Sequence, residues 1–220
     1  MLKKFLLLLI ALLLASSFPV YSELSHCNNF SAIPATKTGV NGMRRINESW
    51  IGVDDTNADF FTLWNDSYET SFNFSYTNLG FRDSRGFAFN RSSRKADRLW
   101  FVDRRSNSIL EVSGNGLNLT NHTTKGYTLD DTTGIDTLDG NRFYILDNTV
   151  DGIFTVDRNM SYVDSCNISI GATNTLHDLT IRVSNNTVRG FVVTDDTADK
   201  LYFINTKCVI EKEYDLSYLG

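Results

Sequence analysis

Good helix formers are scarce in this sequence: six Glu stand against 20 Asp, and only seven Ala follow residue 22. Asp, Asn and Thr, abundant instead, compete with helical backbone bonds, while Phe, Tyr and β-branched residues suit a pleated surface. Beyond residue 22 no apolar stripe keeps helical period for three turns, so a helical fold is excluded. Two Pro and 14 Gly in 220 residues exclude fibrous or linker-like character, and 41% hydrophobic content excludes disorder. Signatures of common chemistries are missing too: no Gly-x-Ser-x-Gly elbow, no His-Glu-x-x-His, no Cys-x-x-Cys and no phosphate loop. The three histidines, His26, His122 and His177, are too scattered to suggest a zinc site. What remains is length for one well-cored all-β domain.

Positive charge is also in short supply. The whole chain carries 21 Lys and Arg against 26 Asp and Glu. Two of the lysines lie in the first 22 residues, which leaves 19 basic against 26 acidic side chains, a net charge of −7. The densest basic stretch, Arg82 to Arg98, is interleaved with Asp83 and Asp97. Nucleic acid and anionic lipid surfaces are therefore not expected partners.

The one long apolar run is N-terminal. Lys3 and Lys4 precede an unbroken run from Phe5 to Ala15, and Val20-Tyr21-Ser22 offers small residues where a signal peptidase cuts. Residues 1–22 are expected to be a cleaved signal peptide. An uncleaved anchor is the alternative, and no membrane span is expected after cleavage. Secretion gives meaning to ten Asn-x-Ser/Thr sequons, at Asn29, Asn47, Asn65, Asn73, Asn90, Asn118, Asn121, Asn159, Asn167 and Asn185. Chance supplies roughly four in a chain of this composition, so these are expected glycan acceptors in a host that N-glycosylates.

The rest of the chain repeats itself. Four segments each hold an apolar run ending in Asp, a polar turn, and a second apolar run. They are Trp50-Ile51-Gly52-Val53-Asp54, Leu99-Trp100-Phe101-Val102-Asp103, Phe143-Tyr144-Ile145-Leu146-Asp147 and Phe191-Val192-Val193-Thr194-Asp195. The aspartates lie 49, 44 and 48 residues apart. A short strand precedes each run, at 43–46, 86–89, 134–137 and 178–181, and an outer strand follows most of them. Four strands per period of about 40 to 50 residues is the pattern of a β-propeller blade. The apolar runs lack alternation, as expected of strands sandwiched between neighbouring blades. Each terminal Asp is expected to accept N–H bonds from the turn it opens. Trp50, Trp64 and Trp100 fall in the blade pattern as core residues.

Leu99 to Asp103 and Phe143 to Asp147 resemble the YWTD blade motif of LDL-receptor class B repeats, and more loosely NHL-type blades. The similarity covers residues 39–220, with repeats near 39–83, 84–131, 132–175 and 176–220. It implies a secreted propeller of about four four-stranded antiparallel blades, or part of a larger propeller, since that family usually has six. In size and end-to-end clasp a closed four-bladed ring resembles the hemopexin-like propellers. Residues 23–38 belong to no repeat and are expected to close the ring against the last blade; an incomplete ring implies a homodimer. A disulfide from Cys27 to Cys208 is the expected clasp, with Cys166 free, although spacing alone also allows Cys27–Cys166 and Cys166–Cys208.

Propellers bind at the channel mouth, in loops around the innermost strands. Arg44, Arg85, Asp131 and His177 are the expected binding face. His177-Asp178 is the one adjacent His–carboxylate pair and the candidate for catalysis. The expected function is a non-catalytic module that binds an extracellular protein or glycan, without a cofactor. The alternative resembles lactonases and gluconolactonases, with Ca²⁺ in the channel held by Asp131, Asp136 and Asp178 to polarise a lactone carbonyl.

Overall fold

The computed structural model describes residues 40–46, 49–54, 60–64, 70–75, 84–91, 98–103, 106–113, 119–170 and 175–219. All of them fall within one compact unit, Lys37–Gly220. Segment 1–36 and Cys27 lie outside the described residues, as do Asn29, Asn47, Asn65 and Asn118.

The fold is all-β. Among the described residues, sixteen strands form four four-stranded sheets, each an antiparallel meander in chain order. The first sheet holds β1 (Val40–Ile46), β2 (Ser49–Asp54), β3 (Phe60–Trp64) and β4 (Thr70–Ser75). The second holds β5 (Ser84–Phe89), β6 (Arg98–Asp103), β7 (Ser106–Ser113) and β8 (Leu119–Thr123). The third holds β9 (Thr132–Thr137), β10 (Arg142–Asp147), β11 (Gly152–Asp157) and β12 (Tyr162–Asn167). The fourth holds β13 (Leu176–Ser184), β14 (Thr187–Asp195), β15 (Lys200–Asn205) and β16 (Ile210–Asp215). Among the described residues the only helical element is a single 3₁₀ turn, Ser217–Leu219, and no helix is long and apolar enough to cross a membrane.

The first strands of successive sheets pack together, β1 on β5, β5 on β9 and β9 on β13, so the sheets stand as blades around a common axis. Burial follows from this. All six residues of β9 are buried, whereas β12 and β16 are mostly exposed. The missing alternation of the second strands has the expected cause, because each face of β10 meets a different blade. Phe143 and Ile145 join Ala88, Trp100 and Val102 of the second blade in one core cluster. Leu146 joins Leu179, Phe191 and Val193 of the fourth blade in the other. Trp100 meets Phe143 edge-on at 5.0 Å, and Tyr144 meets Phe191 at 5.2 Å, one aromatic contact per interface.

Two glycines set the approach of the innermost strands. A Cβ on Gly86 would lie 2.8 Å from the Gly134 Cα, and one on Gly134 would lie 2.7 Å from the Leu179 backbone nitrogen. The fourth blade carries Asp178 at the equivalent register, opposite Thr194 as Gly134 is opposite Leu146.

The hairpins repeat in backbone as well as in sequence. Asp151 and Asp199, at the turns between second and third strands, both adopt left-handed φ, as do Met160 and Cys208 in the outer hairpins. Met160 and Cys208 also donate the same N–H bond, to the carbonyls of Asp157 and Asn205.

The disulfide corrects one expectation. Cys208 pairs with Cys166, not with Cys27, at a Cα separation of 5.6 Å. Its left-handed position in the β15–β16 hairpin brings Cys208 against β12 of the preceding blade, where Cys166 lies. The bond therefore staples two adjacent blades at the rim. Closing its loop of 42 residues is worth about 4 kcal/mol in the chain-entropy account.

Candidate functional site

Each innermost strand opens with the same irregularity. The register against the second strand slips between Val40 and Gly42, between Ser84 and Gly86, between Thr132 and Gly134, and between Leu176 and Asp178. The extra residues are Asn41, Arg85, Thr133 and His177. A bulge re-aims the side chain of its extra residue; the backbone irregularity recurs in all four sheets, and in the second, third and fourth it sets a polar side chain, Arg85, Thr133 or His177, at the entry of the innermost strand. The strands begin two or three residues earlier than the apolar pattern predicts, so sequence alone reads these positions as loop.

Two of the expected binding residues meet there. Arg85 Nη1, from the second blade, lies 3.1 Å from His177 Nε2, from the fourth. The Asp196 carboxylate stands 3.5 Å from the same nitrogen. When Arg85 donates to Nε2, that nitrogen is unprotonated and the ring proton is on Nδ1. Thr133, between them in the blade order, is 4% exposed, and its hydroxyl has no hydrogen-bond partner among the described residues. Asp131, half-buried beside the mouth, accepts a bond from Asn148 Nδ2 at 3.3 Å and one at its carbonyl from Asn148 N. Asn148 Oδ1 in turn accepts from Leu176 N at 2.9 Å, which ties the third blade to the entry of β13. The Arg44 side chain lies outside the described residues; its backbone pairs with Ile51.

The His177-Asp178 pair does not face itself. Asp178 Oδ1 accepts the N–H of Leu179 at 2.7 Å, and its own N–H donates to Thr194 Oγ1. The carboxylate near the His177 ring is that of Asp196, a residue sequence reasoning missed because the β14–β15 turn is distant in the chain.

The calcium ligand set is likewise divided. Asp131 precedes β9 and Asp136 sits near its far end, five residues and about 16 Å along a strand, whereas calcium oxygens converge within about 2.6 Å of one point. Asp136 is fully buried and has other partners. Its Oδ2 accepts from Arg91 Nη2, from Thr180 Oγ1 at 3.0 Å and from Ile181 N at 2.8 Å. Its Oδ1 accepts from Thr137 N. The carboxylate thus links blades two, three and four, and its pairing offsets the cost of a buried charge. Among the described residues no three His, Cys, Asp or Glu side chains gather into a metal-binding group.

The repeated strand-end aspartates behave as turn residues. Asp103, Asp147 and Asp195 are buried. Asp147 accepts from Thr149 N and Asp130 N, and Asp195 from Thr197 N and Ala198 N. The Asp54 side chain lies outside the described residues. Close by, burial and the neighbouring Asp195 both push the Asp151 carboxyl above its usual range.

Radial four-stranded blades with polar bulges at the axis define a β-propeller-type protein. Solved structures agree on the fold. Virginiamycin B lyase from Staphylococcus aureus matches with a TM-score of 0.55 at 13% identity, covering 84% of this chain and 58% of that one. The WD40 repeats of RRP9 match with a TM-score of 0.53 at 11% identity, covering 75% and 47%. Kuenenia stuttgartiensis hydrazine synthase matches with a TM-score of 0.52 at 14% identity, covering 83% and 51%. The chain spans less than two thirds of each, and at these identities the likeness is one of fold. No protein-family model matches the sequence, and no curated protein matches it.

Proposed function

We propose that this propeller is a non-catalytic binding module that works outside the cell and presents the mouth of its axis to an extracellular protein or glycan. The observation that carries this reading is the repeated bulge, which brings Arg85 and His177 from separate blades to one centre. Rigid strands bearing polar side chains around a shared mouth suit recognition. The N-terminal leader, the sequon excess and the disulfide support an oxidising, extracellular setting. The YWTD-like blade motif fits the same setting. Interaction modules occur among the fold neighbours, as WD40 repeats; the lyase activity in another neighbour's name belongs to that protein. The calcium-hydrolase alternative draws no support from converging carboxylates among the described residues.

The test is a secreted, mature preparation offered to a glycan array and a panel of extracellular proteins. Saturable binding is expected, and Arg85→Ala with His177→Ala is expected to weaken it at least tenfold, about 1.4 kcal/mol, with Tm unchanged. Turnover of a lactone and ester panel, abolished by the same pair of substitutions, would replace the binding reading with an enzymatic one.

A further inference from the structure

The bond between Arg85 and His177 joins blades that are not neighbours in chain order. Arg85 opens the second blade and His177 the fourth, so the contact skips the third, whose own bulge residue is the buried Thr133. The strands β5 and β13 themselves approach each other, which lets a long arginine side chain make the bridge. The bond is thus a strap between two blades, and it engages both of the side chains expected to meet a ligand. It must break before His177 Nε2 can turn to anything else.

That nitrogen has two partners within reach and can serve one at a time. Arg85 Nη1 stands 3.1 Å from it and the Asp196 carboxylate 3.5 Å. A neutral ring with its proton on Nδ1 offers Nε2 a lone pair, which accepts from Arg85. Once a proton from solvent occupies Nε2, the lone pair is gone. The nitrogen is then a donor, repels the guanidinium and suits the carboxylate. Asp196 is held in place to receive it. Its N–H donates to the Thr175 carbonyl at 3.3 Å, and Asp195 fixes the turn behind it by accepting from Thr197 N and Ala198 N. The His177 side chain is 23% exposed, so protons reach it, and imidazole is the side chain that changes charge between about pH 5 and 8. The other charged neighbours are carboxylates with partners of their own. Asp178, next to the ring on β13, accepts from Leu179 N. Asp131, before β9, accepts from Asn148, which reaches Leu176 N. Asp195 accepts within its turn, and Lys200 beyond it bonds Glu213. Thr133, from β9, is uncharged. The side chains of Arg44, Arg45 and the 76–83 and 104–105 connections lie outside the described residues.

Building on the binding-module reading, we infer that the Arg85–His177 bond is a pH-dependent strap at the mouth of the axis. It holds while the ring is neutral. It opens when His177 takes a proton and turns its Nε2–H to Asp196, which releases Arg85 from the ring. The test is NMR on the secreted, mature chain with isotope-labelled His and Arg, followed from about pH 7.5 to about pH 5.5. His177→Gln and Arg85→Ala identify the two sets of signals. At the upper pH Nε2 is expected without a proton and Nδ1 with one. On acidification both nitrogens are expected to carry protons, and the Arg85 side-chain signals to move through the same midpoint. In Arg85→Ala the neutral ring is expected to hold its proton on Nε2, donating to Asp196. A proton on Nε2 at the upper pH in the intact chain, or Arg85 signals indifferent to the His177 transition, overturns the strap. Ligands found on the array or panel are expected to bind about threefold more tightly at the lower pH, because the strap no longer has to be broken first. His177→Gln keeps an acceptor for Arg85 and does not titrate, so it is expected to remove that pH difference. Equal or weaker binding at the lower pH overturns the strap and leaves the binding-module reading in place. A chain that shows the proton switch and binds no ligand loses that reading and keeps the strap.

Discussion

Gly134 shows how much of this fold rests on single positions. Its α-carbon faces the Leu179 nitrogen so closely that an added Cβ would come within 2.7 Å of backbone, which cannot rotate away. Gly134→Ala must push β13 off β9 or distort the bulge that aims Thr133. The expected cost is about 2 to 3 kcal/mol, read as a lower denaturation midpoint. A loss below about 0.5 kcal/mol would mean that the innermost strands pack more loosely. Glu111 makes a different kind of prediction. Burial raises its carboxyl, but bonds and charge from His122 and Arg98 outweigh that and hold it below the usual range. A depressed folded pKa stabilises the protein above the unfolded value and is lost as pH falls through the folded one. Glu111→Gln is thus expected to reduce stability at neutral pH and to flatten the acid limb of the stability profile.

At the scale of strands and blades, the apolar runs ending in Asp made the second strands legible, because burial on both faces removes alternation. The turn role of those aspartates was legible for the same reason: a short acceptor beside free N–H groups has a local answer. The bulges were not. Asn41, Arg85, Thr133 and His177 lie outside the apolar runs, and only the glycine following three of them hints that a backbone passes nearby. Contacts made across blades were hidden as well. Nothing local in the chain directs Asp136 toward Arg91 and Thr180, or His177 toward Asp196 and away from Asp178. The disulfide belongs to this class, since the pairing depends on how far one outer hairpin reaches over the next blade. Cys166→Ser with Cys208→Ser is expected to cost about 2 to 4 kcal/mol, seen as a lower Tm in oxidising buffer and no further effect of reductant. A native chain in which Cys166 reacts with a thiol reagent before unfolding would refute the staple.

At the scale of the whole molecule, the remaining question is how many blades make the ring. The solved propellers that match are longer, and this chain spans only 58% of the lyase and 47% of the RRP9 repeats. A blade buries its faces only against neighbours, so the outer faces of the first and last blades need each other, another copy or further blades. We propose that closure within one chain uses residues 23–38, which belong to no repeat. Two linked outcomes are therefore expected if the ring closes alone. Light scattering gives the mass of a single glycosylated chain at all concentrations, and removal of residues 23–38 converts that species to dimers or aggregates by opening an edge. If the intact chain is already a dimer that dissociates on dilution, paired half-rings are the assembly, and the deletion is then expected to leave its mass per particle unchanged.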